Sequence, residues 1–110
     1  MESGDFDVLL GLVKDLDREL DKFLSGSASA SDAIPLILDT CKQMRSNELS
    51  DAVKYWLAAI EHHAAEITSP PRRADEDYRF LTSSAFLGTQ LLKDIYFLRT
   101  GLVNARSSIH

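Results

Sequence analysis

The sequence predicts an all-α fold: an antiparallel bundle of about four helices, forming a single domain over residues 1–110. Apolar residues recur at alternating intervals of three and four along three segments, which is the spacing of helices that pack at a shallow angle. Regular strand-like alternation is absent, and a short apolar run such as "LILDT" would have no partner strand. A chain of 110 residues is long enough to enclose one hydrophobic core.

The first predicted helix covers about Asp5 to Leu24. One apolar seam runs along it, formed by Phe6, Leu9, Val13, Leu16, Leu20 and Phe23. The segment "SGSASAS" that follows is small, polar and flexible, so it is expected to join two helices.

The second predicted helix runs from about Asp32 to Arg45. Ser31 is the expected N-cap, and Pro35 would then fall in the first turn, where its missing N–H is tolerated. The apolar stripe of this helix consists of Ile34, Ile37, Leu38, Cys41 and Met44.

The third predicted helix runs from about Glu48 to Ile67, with Ser46 or Asn47 as its expected cap. Its seam is Leu49, Val53, Trp56, Ile60, His63 and Ile67, widened by Leu57 and Ala64. The two prolines of "TSPPRR" end this helix, because a helix cannot continue through them.

The fourth predicted helix begins near Asp75 and extends to about Asn104. Gly88 either lies within a continuous helix, at a cost of about 1 kcal/mol relative to alanine, or marks a bend or a break. Gly101 is a candidate C-cap that would end the helix earlier. Its seam is Leu81, Ser84, Gly88, Leu91, Ile95, Leu98 and Leu102, and further apolar residues lie beside that seam, namely Phe80, Leu87, Leu92, Tyr96, Phe97 and Val103.

The fourth helix is about twice as long as the second, so its end near residues 96–103 would lack cover within one chain. A symmetric homodimer would cover this apolar surface economically. Ser84 and Gly88, four residues apart, would let another helix approach closely. That helix is either one from a second copy or the first helix of the same chain.

Charge and cysteine content narrow the classes of partner and compartment. The net charge of −5 argues against general binding to nucleic acid or to anionic membranes, and no apolar run reaches the length of a membrane span. Cys41 is the single cysteine, which excludes an internal disulfide and favours a reduced, cytoplasmic setting. The acidic N-terminus lacks the basic region of a secretory signal.

The "EHH" stretch is the most suggestive of chemistry. His62 and Glu66 share a helix face and could supply two metal ligands, but the further Glu-x-x-His motifs of helical metal sites are absent. His63 lies in the third seam, where a histidine is expected to be half-buried with a hydrogen-bond partner, either within the core or at an interface. An interface histidine could respond to pH, because histidines ordinarily change charge near neutrality.

No motif for catalysis is found. The sequence contains no nucleophile elbow, phosphate-binding loop or paired catalytic carboxylates, and Cys41 lies on an apolar stripe as an inert thiol. We therefore expect no catalytic residues, no cofactor and no resident metal.

These observations favour a non-enzymatic regulatory or adaptor protein that binds another protein through an exposed apolar helix surface. It would act as an inhibitor of its partner's dimerisation, like antiactivators, or in the manner of a secretion chaperone. The expected contact residues are Leu92, Tyr96, Phe97, Leu98 and Val103, with Arg72 and Arg73 as polar anchors on the rigid Pro-Pro loop. Two alternatives stay open: a helical bundle that binds a metal or small ligand through His62, His63 and Glu66, and a structural subunit of a larger assembly.

Overall fold

The computed structural model describes residues 3–68 and 84–107, and of residues 3–5, 84–85 and 106–107 only the backbone. The described chain is all-helical, as predicted, and contains no strand. Its four helices are α1 (Ser3–Leu24), α2 (Ala30–Arg45), α3 (Asp51–Thr68) and α4 (Ser84–Ser107). The predicted start of the last helix near Asp75 lies outside the described residues.

The four helices form a closed bundle in which each packs against its neighbours in sequence and α4 packs against α1. Leu24, at the end of α1, lies beside Gly88, near the start of α4, so these two helices are antiparallel. Helices α3 and α4 are antiparallel as well, because Trp56 stacks on Phe97 while the later His63 bonds to the earlier Asp94. This arrangement places α2 diagonally opposite α4.

The predicted seams of α1 and α4 lie in the core. On α1 the seam is buried from Phe6 to Leu20, and Phe23 packs against it half-buried. On α4 the buried seam residues are Gly88, Leu91, Ile95, Leu98 and Leu102, while Leu81 and the side chain of Ser84 lie outside the described residues. Burial of such side chains, about 1.5–3 kcal/mol for each, is the main stabilising contribution to the bundle.

The buried face of α3 is rotated relative to its predicted seam. Its fully buried residues are Val53, Leu57, Ile60 and Ala64. Trp56, His63 and Ile67 are only partly buried, at the edge that faces α4. Leu57 and Ala64, which were expected only to widen the seam, therefore lie at its centre. Trp56 and His63, which were expected within the seam, instead contact side chains of α4 at the rim.

The caps of α2 and α3 differ from the prediction. Ser46 and Asn47 close α2, because their side chains donate to the carbonyl of Gln43 at 2.7 and 3.2 Å. Ser50 opens α3 instead: its hydroxyl accepts the Val53 N–H at 3.4 Å, and its carbonyl accepts the Lys54 N–H at 2.9 Å.

The start of α2 also differs. Ser29 is its N-cap, with an extended backbone, and its carbonyl accepts the Ala33 N–H at 2.9 Å. Helix α2 therefore begins two residues earlier than predicted, and Pro35 lies in its second turn. The carbonyl that a residue-35 N–H would normally reach belongs to Ser31, which is exposed and so is accessible to water.

Helix α4 is continuous through both of its glycines. It passes through Gly88 without a break and continues through Gly101 to Ser107, so Gly101 is not its C-cap. A Cβ at position 88 would lie 2.6 Å from Leu24 Cδ2, which shows that α1 of the same chain occupies the groove at Gly88. Within the described residues, no helix has the length and apolarity needed to cross a membrane.

Candidate functional site

The outer face of α4 carries most of the residues predicted to bind a partner. Leu92, Tyr96, Phe97 and Val103 are exposed, with Tyr96 at 61% the most accessible of the four. Leu98 is fully buried in the chain's own core, so it does not belong to this surface. Arg72 and Arg73 lie outside the described residues.

The exposed apolar residues of α4 separate into two groups that share Tyr96. Leu92 and Val103 lie toward α1, on the same side as Arg99, whose guanidinium pairs with Asp17 of α1. Phe97 lies on the other side, toward α3. The predicted surface is therefore not one patch but two, which meet at a tyrosine.

The second group continues onto α3 as a row of four aromatic rings: Tyr55, Trp56, Phe97 and Tyr96, here called the aromatic row. Trp56 and Phe97 stack across the two helices, with centroids 4.7 Å apart and ring planes 18° apart. Tyr55 meets Trp56 edge-on at 4.9 Å, and Tyr96 meets Phe97 edge-on at 5.5 Å. Stacked and edge-to-face pairs at such distances are the favoured aromatic geometries.

Local sequence explains why these rings remain uncovered. Ala52 and Ala59 lie four residues before and three after Trp56, on the same face of α3. Methyl groups at both positions are too short to cover the indole. The tyrosines at the two ends of the row are the most exposed large apolar side chains described, at 66% for Tyr55 and 61% for Tyr96.

Two turns beyond Trp56 along α3, His63 bonds to Asp94 of α4. The imidazole Nδ1 lies 2.6 Å from Asp94 Oδ2. The Asp94 side chain is 3% exposed and that of His63 is 23% exposed. The predicted half-buried histidine with a hydrogen-bond partner is thus present, and its partner lies within the same chain.

Burial raises the pKa of Asp94 above its ordinary value, because desolvation disfavours the carboxylate. The hydrogen bond and the charge of His63 oppose this effect, and Lys93 opposes it more weakly. The pair therefore contains a carboxylate whose ionisation is unfavourable in the folded protein and is made tolerable by His63.

The other residues of the "EHH" stretch have different surroundings. Glu61 receives a bidentate hydrogen bond from Arg45 of α2, with Arg45 Nε at 2.8 and 3.1 Å from the two carboxylate oxygens. His62 is exposed and meets the ring of His63 edge-on, with centroids 5.5 Å apart. Among the described residues, no three histidine, cysteine or acidic side chains come close enough together to hold a metal ion.

Sequence reasoning missed Tyr55, the exposure of Trp56 and the role of Asp94. Asp94 could have been found, because it is an acid flanked on its helix by the seam residues Leu91 and Ile95. Tyr55 gave a weaker signal, since a single aromatic residue outside a seam is common on protein surfaces. No protein-family model, curated protein or solved structure matches this chain.

Proposed function

We propose that this protein is a non-enzymatic regulator or adaptor that binds another protein through the aromatic row. The observation that supports this is the continuous contact of four rings across α3 and α4, with both terminal tyrosines more than half exposed. Tyrosine and tryptophan are among the residues that contribute most to binding at protein interfaces.

The rings suit a partner surface that is apolar with a few polar groups. Each ring brings a large apolar area with few rotatable bonds, so it loses little conformational entropy on binding. The tyrosine hydroxyls at the ends of the row supply hydrogen bonds at the rim. An amphipathic helix lying along the α3–α4 face would cover the row, in the manner of helix-in-groove recognition.

Leu92 and Val103 extend the proposed surface around α4, and Arg72 and Arg73 remain proposed polar anchors for the same partner. Within this proposal, the protein acts either by occupying the surface through which its partner dimerises or as a secretion-chaperone-like factor. A cytoplasmic location is proposed with it, because a single free thiol at Cys41 suits a reducing compartment.

Homodimerisation is part of the proposal as well. The aromatic row and the Leu92–Val103 side of α4 leave apolar area that a second copy would cover, and a two-fold interface needs only one such surface. Binding of a different partner to the same rings would then compete with self-association.

The test is affinity capture from the native host with the full-length chain and two matched variants. Tyr96→Asp places a charge in the aromatic row, whereas Leu36→Asp places the same charge at a half-exposed position on the diagonally opposite α2. We expect a specific partner to be retained by the wild type and by Leu36→Asp and lost from Tyr96→Asp. A partner captured equally by all three would show that the row is not its binding surface.

A further inference from the structure

Asp94 is an acidic side chain buried where α3 packs against α4, and its hydrogen-bond partner is His63. Among the described residues only Thr40 and Asp94 are polar and buried, and the Thr40 hydroxyl is satisfied by donating to the Leu36 carbonyl at 2.9 Å. A buried ion pair can often be replaced by apolar side chains without loss of stability. A buried, paired carboxylate beside an exposed surface is therefore a candidate for a role in binding.

The orientation of His63 leaves its second ring nitrogen available. Nδ1 faces Asp94, and among the described residues no group is hydrogen-bonded to Nε2. Since no buried side-chain nitrogen or oxygen in the described part of the chain lacks a hydrogen-bond partner, Nε2 must reach solvent. When the Asp94 carboxylate is ionised it accepts the Nδ1 proton, and Nε2 of the neutral imidazole is then a hydrogen-bond acceptor.

With Asp94 ionised and His63 neutral, the pair presents a hydrogen-bond acceptor at Nε2 and carries a negative charge on the Asp94 carboxylate. The carboxylate gives the pair a net charge of about −1, which favours a cationic donor over a neutral one. Trp56 lies two helical turns before His63 on α3, and Phe97 lies one turn after Asp94 on α4, so the pair and the aromatic row share the α3–α4 face.

We propose that the His63–Asp94 pair receives a cationic side chain, an arginine or lysine, from the partner protein. This inference rests on the function proposed above. His63 contacts the cation through Nε2, and Asp94 is a positioning residue that holds the tautomer and orientation of the ring. The overall net charge of −5 is in keeping with a basic partner.

Some of the charged groups around the pair favour binding of a cation, and others disfavour it. On α3, His62 precedes His63 and Glu66 lies one turn after it; on α4, Lys93 precedes Asp94. Glu66 adds negative charge, whereas Lys93 repels a cation. Lys93 is exposed, and its effect on Asp94 is the weakest of those that act on this carboxyl, so it reduces the attraction without cancelling it.

Protonation of His63 would abolish the site. The imidazolium has no acceptor at Nε2, and its positive charge neutralises that of the carboxylate. Cation binding is therefore expected to weaken at acidic pH, once the imidazole is protonated.

The experiment is an NMR titration of the full ¹⁵N-labelled chain with N-acetyl-arginine amide and, as the uncharged probe of matched shape, N-acetyl-citrulline amide. We expect arginine amide to shift the His63 and Asp94 amides saturably at about pH 7.5, with an affinity about tenfold above that of citrulline amide. This preference should weaken when the titration is repeated at acidic pH, because a protonated imidazole offers no acceptor.

Four variants test the assignment. His63→Leu and Asp94→Asn should each remove the preference for arginine amide, His62→Leu should leave it unchanged, and Lys93→Ala should increase it. Circular dichroism checks that each variant folds. If His63→Leu does not fold, Asp94→Asn alone tests the contribution of the pair.

Several results would overturn the inference: equal binding of the two probes, shifts confined to other parts of the chain, or weaker arginine binding by Lys93→Ala. Such results would leave the aromatic row as a proposed protein-binding surface, because the capture experiment with Tyr96→Asp does not depend on either probe.

Discussion

Asp94 illustrates how much a single residue depends on its surroundings. Because burial raises its pKa, the folded protein holds the carboxyl proton more tightly than the unfolded chain does. The stability associated with this group is thus fully present below the ordinary carboxyl pKa. It is lost as the pH rises through the raised pKa of the folded state.

Asp94→Asn should therefore become more stable relative to the wild type as the pH rises through this window. The amide oxygen of asparagine still accepts the His63 Nδ1–H, and no buried charge is formed. Urea unfolding of both proteins between about pH 3 and pH 7 measures the difference in unfolding free energy. A difference that shrinks with rising pH would contradict the expectation. Asp94→Leu should be less stable than Asp94→Asn, because it leaves the imidazole N–H without a partner.

Cys41 shows the same effect of burial on a thiol. Its side chain is fully buried, and desolvation, assisted by the nearby charge of Glu61, raises its pKa to about 12. The thiolate is the reactive form, so alkylation by iodoacetamide at about pH 8 should be slow in the folded protein and fast in urea. Mass spectrometry of the alkylated fraction over time measures both rates. Equal rates would show that Cys41 is accessible in the native state.

At the scale of the helices, three glycines lie in helix interiors with different amounts of space beside them. A Cβ at Gly11 would meet nothing within 4 Å, one at Gly101 would lie 3.4 Å from Val53 Cγ2, and one at Gly88 would lie 2.6 Å from Leu24 Cδ2. The Leu24 side chain is 41% exposed, so it can move aside, but only by giving up its present contact.

Alanine substitution at the three glycines should change the free energy of unfolding according to the space beside each one. Alanine in a helix interior is favoured over glycine by about 1 kcal/mol, so Gly11→Ala should gain roughly that amount. Gly101→Ala should gain the same or slightly less, and Gly88→Ala should gain least. Unfolding free energies from urea denaturation provide the comparison. A Gly88→Ala variant that gains as much as Gly11→Ala would show that Leu24 does not pack tightly against α4.

At the scale of the whole molecule, the bundle leaves apolar area uncovered on α3 and α4, which forms the basis of the proposed homodimer. Analytical ultracentrifugation of the wild type at roughly 100 µM should show a species of twice the 12.3 kDa chain mass. Tyr96→Asp should shift it toward the monomer, and Leu36→Asp should not. A 12.3 kDa monomer throughout the concentration range would contradict self-association.

The sequence by itself determined the helical class, the number and approximate bounds of the described helices, and the buried seams of α1 and α4. Heptad spacing is a local property, and it specifies which residues of one helix share a face whatever that face packs against. The same property explains why His63 could be placed at a packed edge with a hydrogen-bond partner still to be identified.

Only the tertiary structure decided what each face meets. The capping roles of Ser46 and Ser50 depend on the detailed path of the connection, and the contact of Phe97 with α3 depends on the rotation of α4 against α3. Trp56 meets Phe97, and His63 meets Asp94, because antiparallel packing brings together side chains that are far apart in sequence. A single helix's periodicity contains no information about its neighbour's register, so the aromatic row and the His63–Asp94 pair exist only once α3 and α4 are packed together.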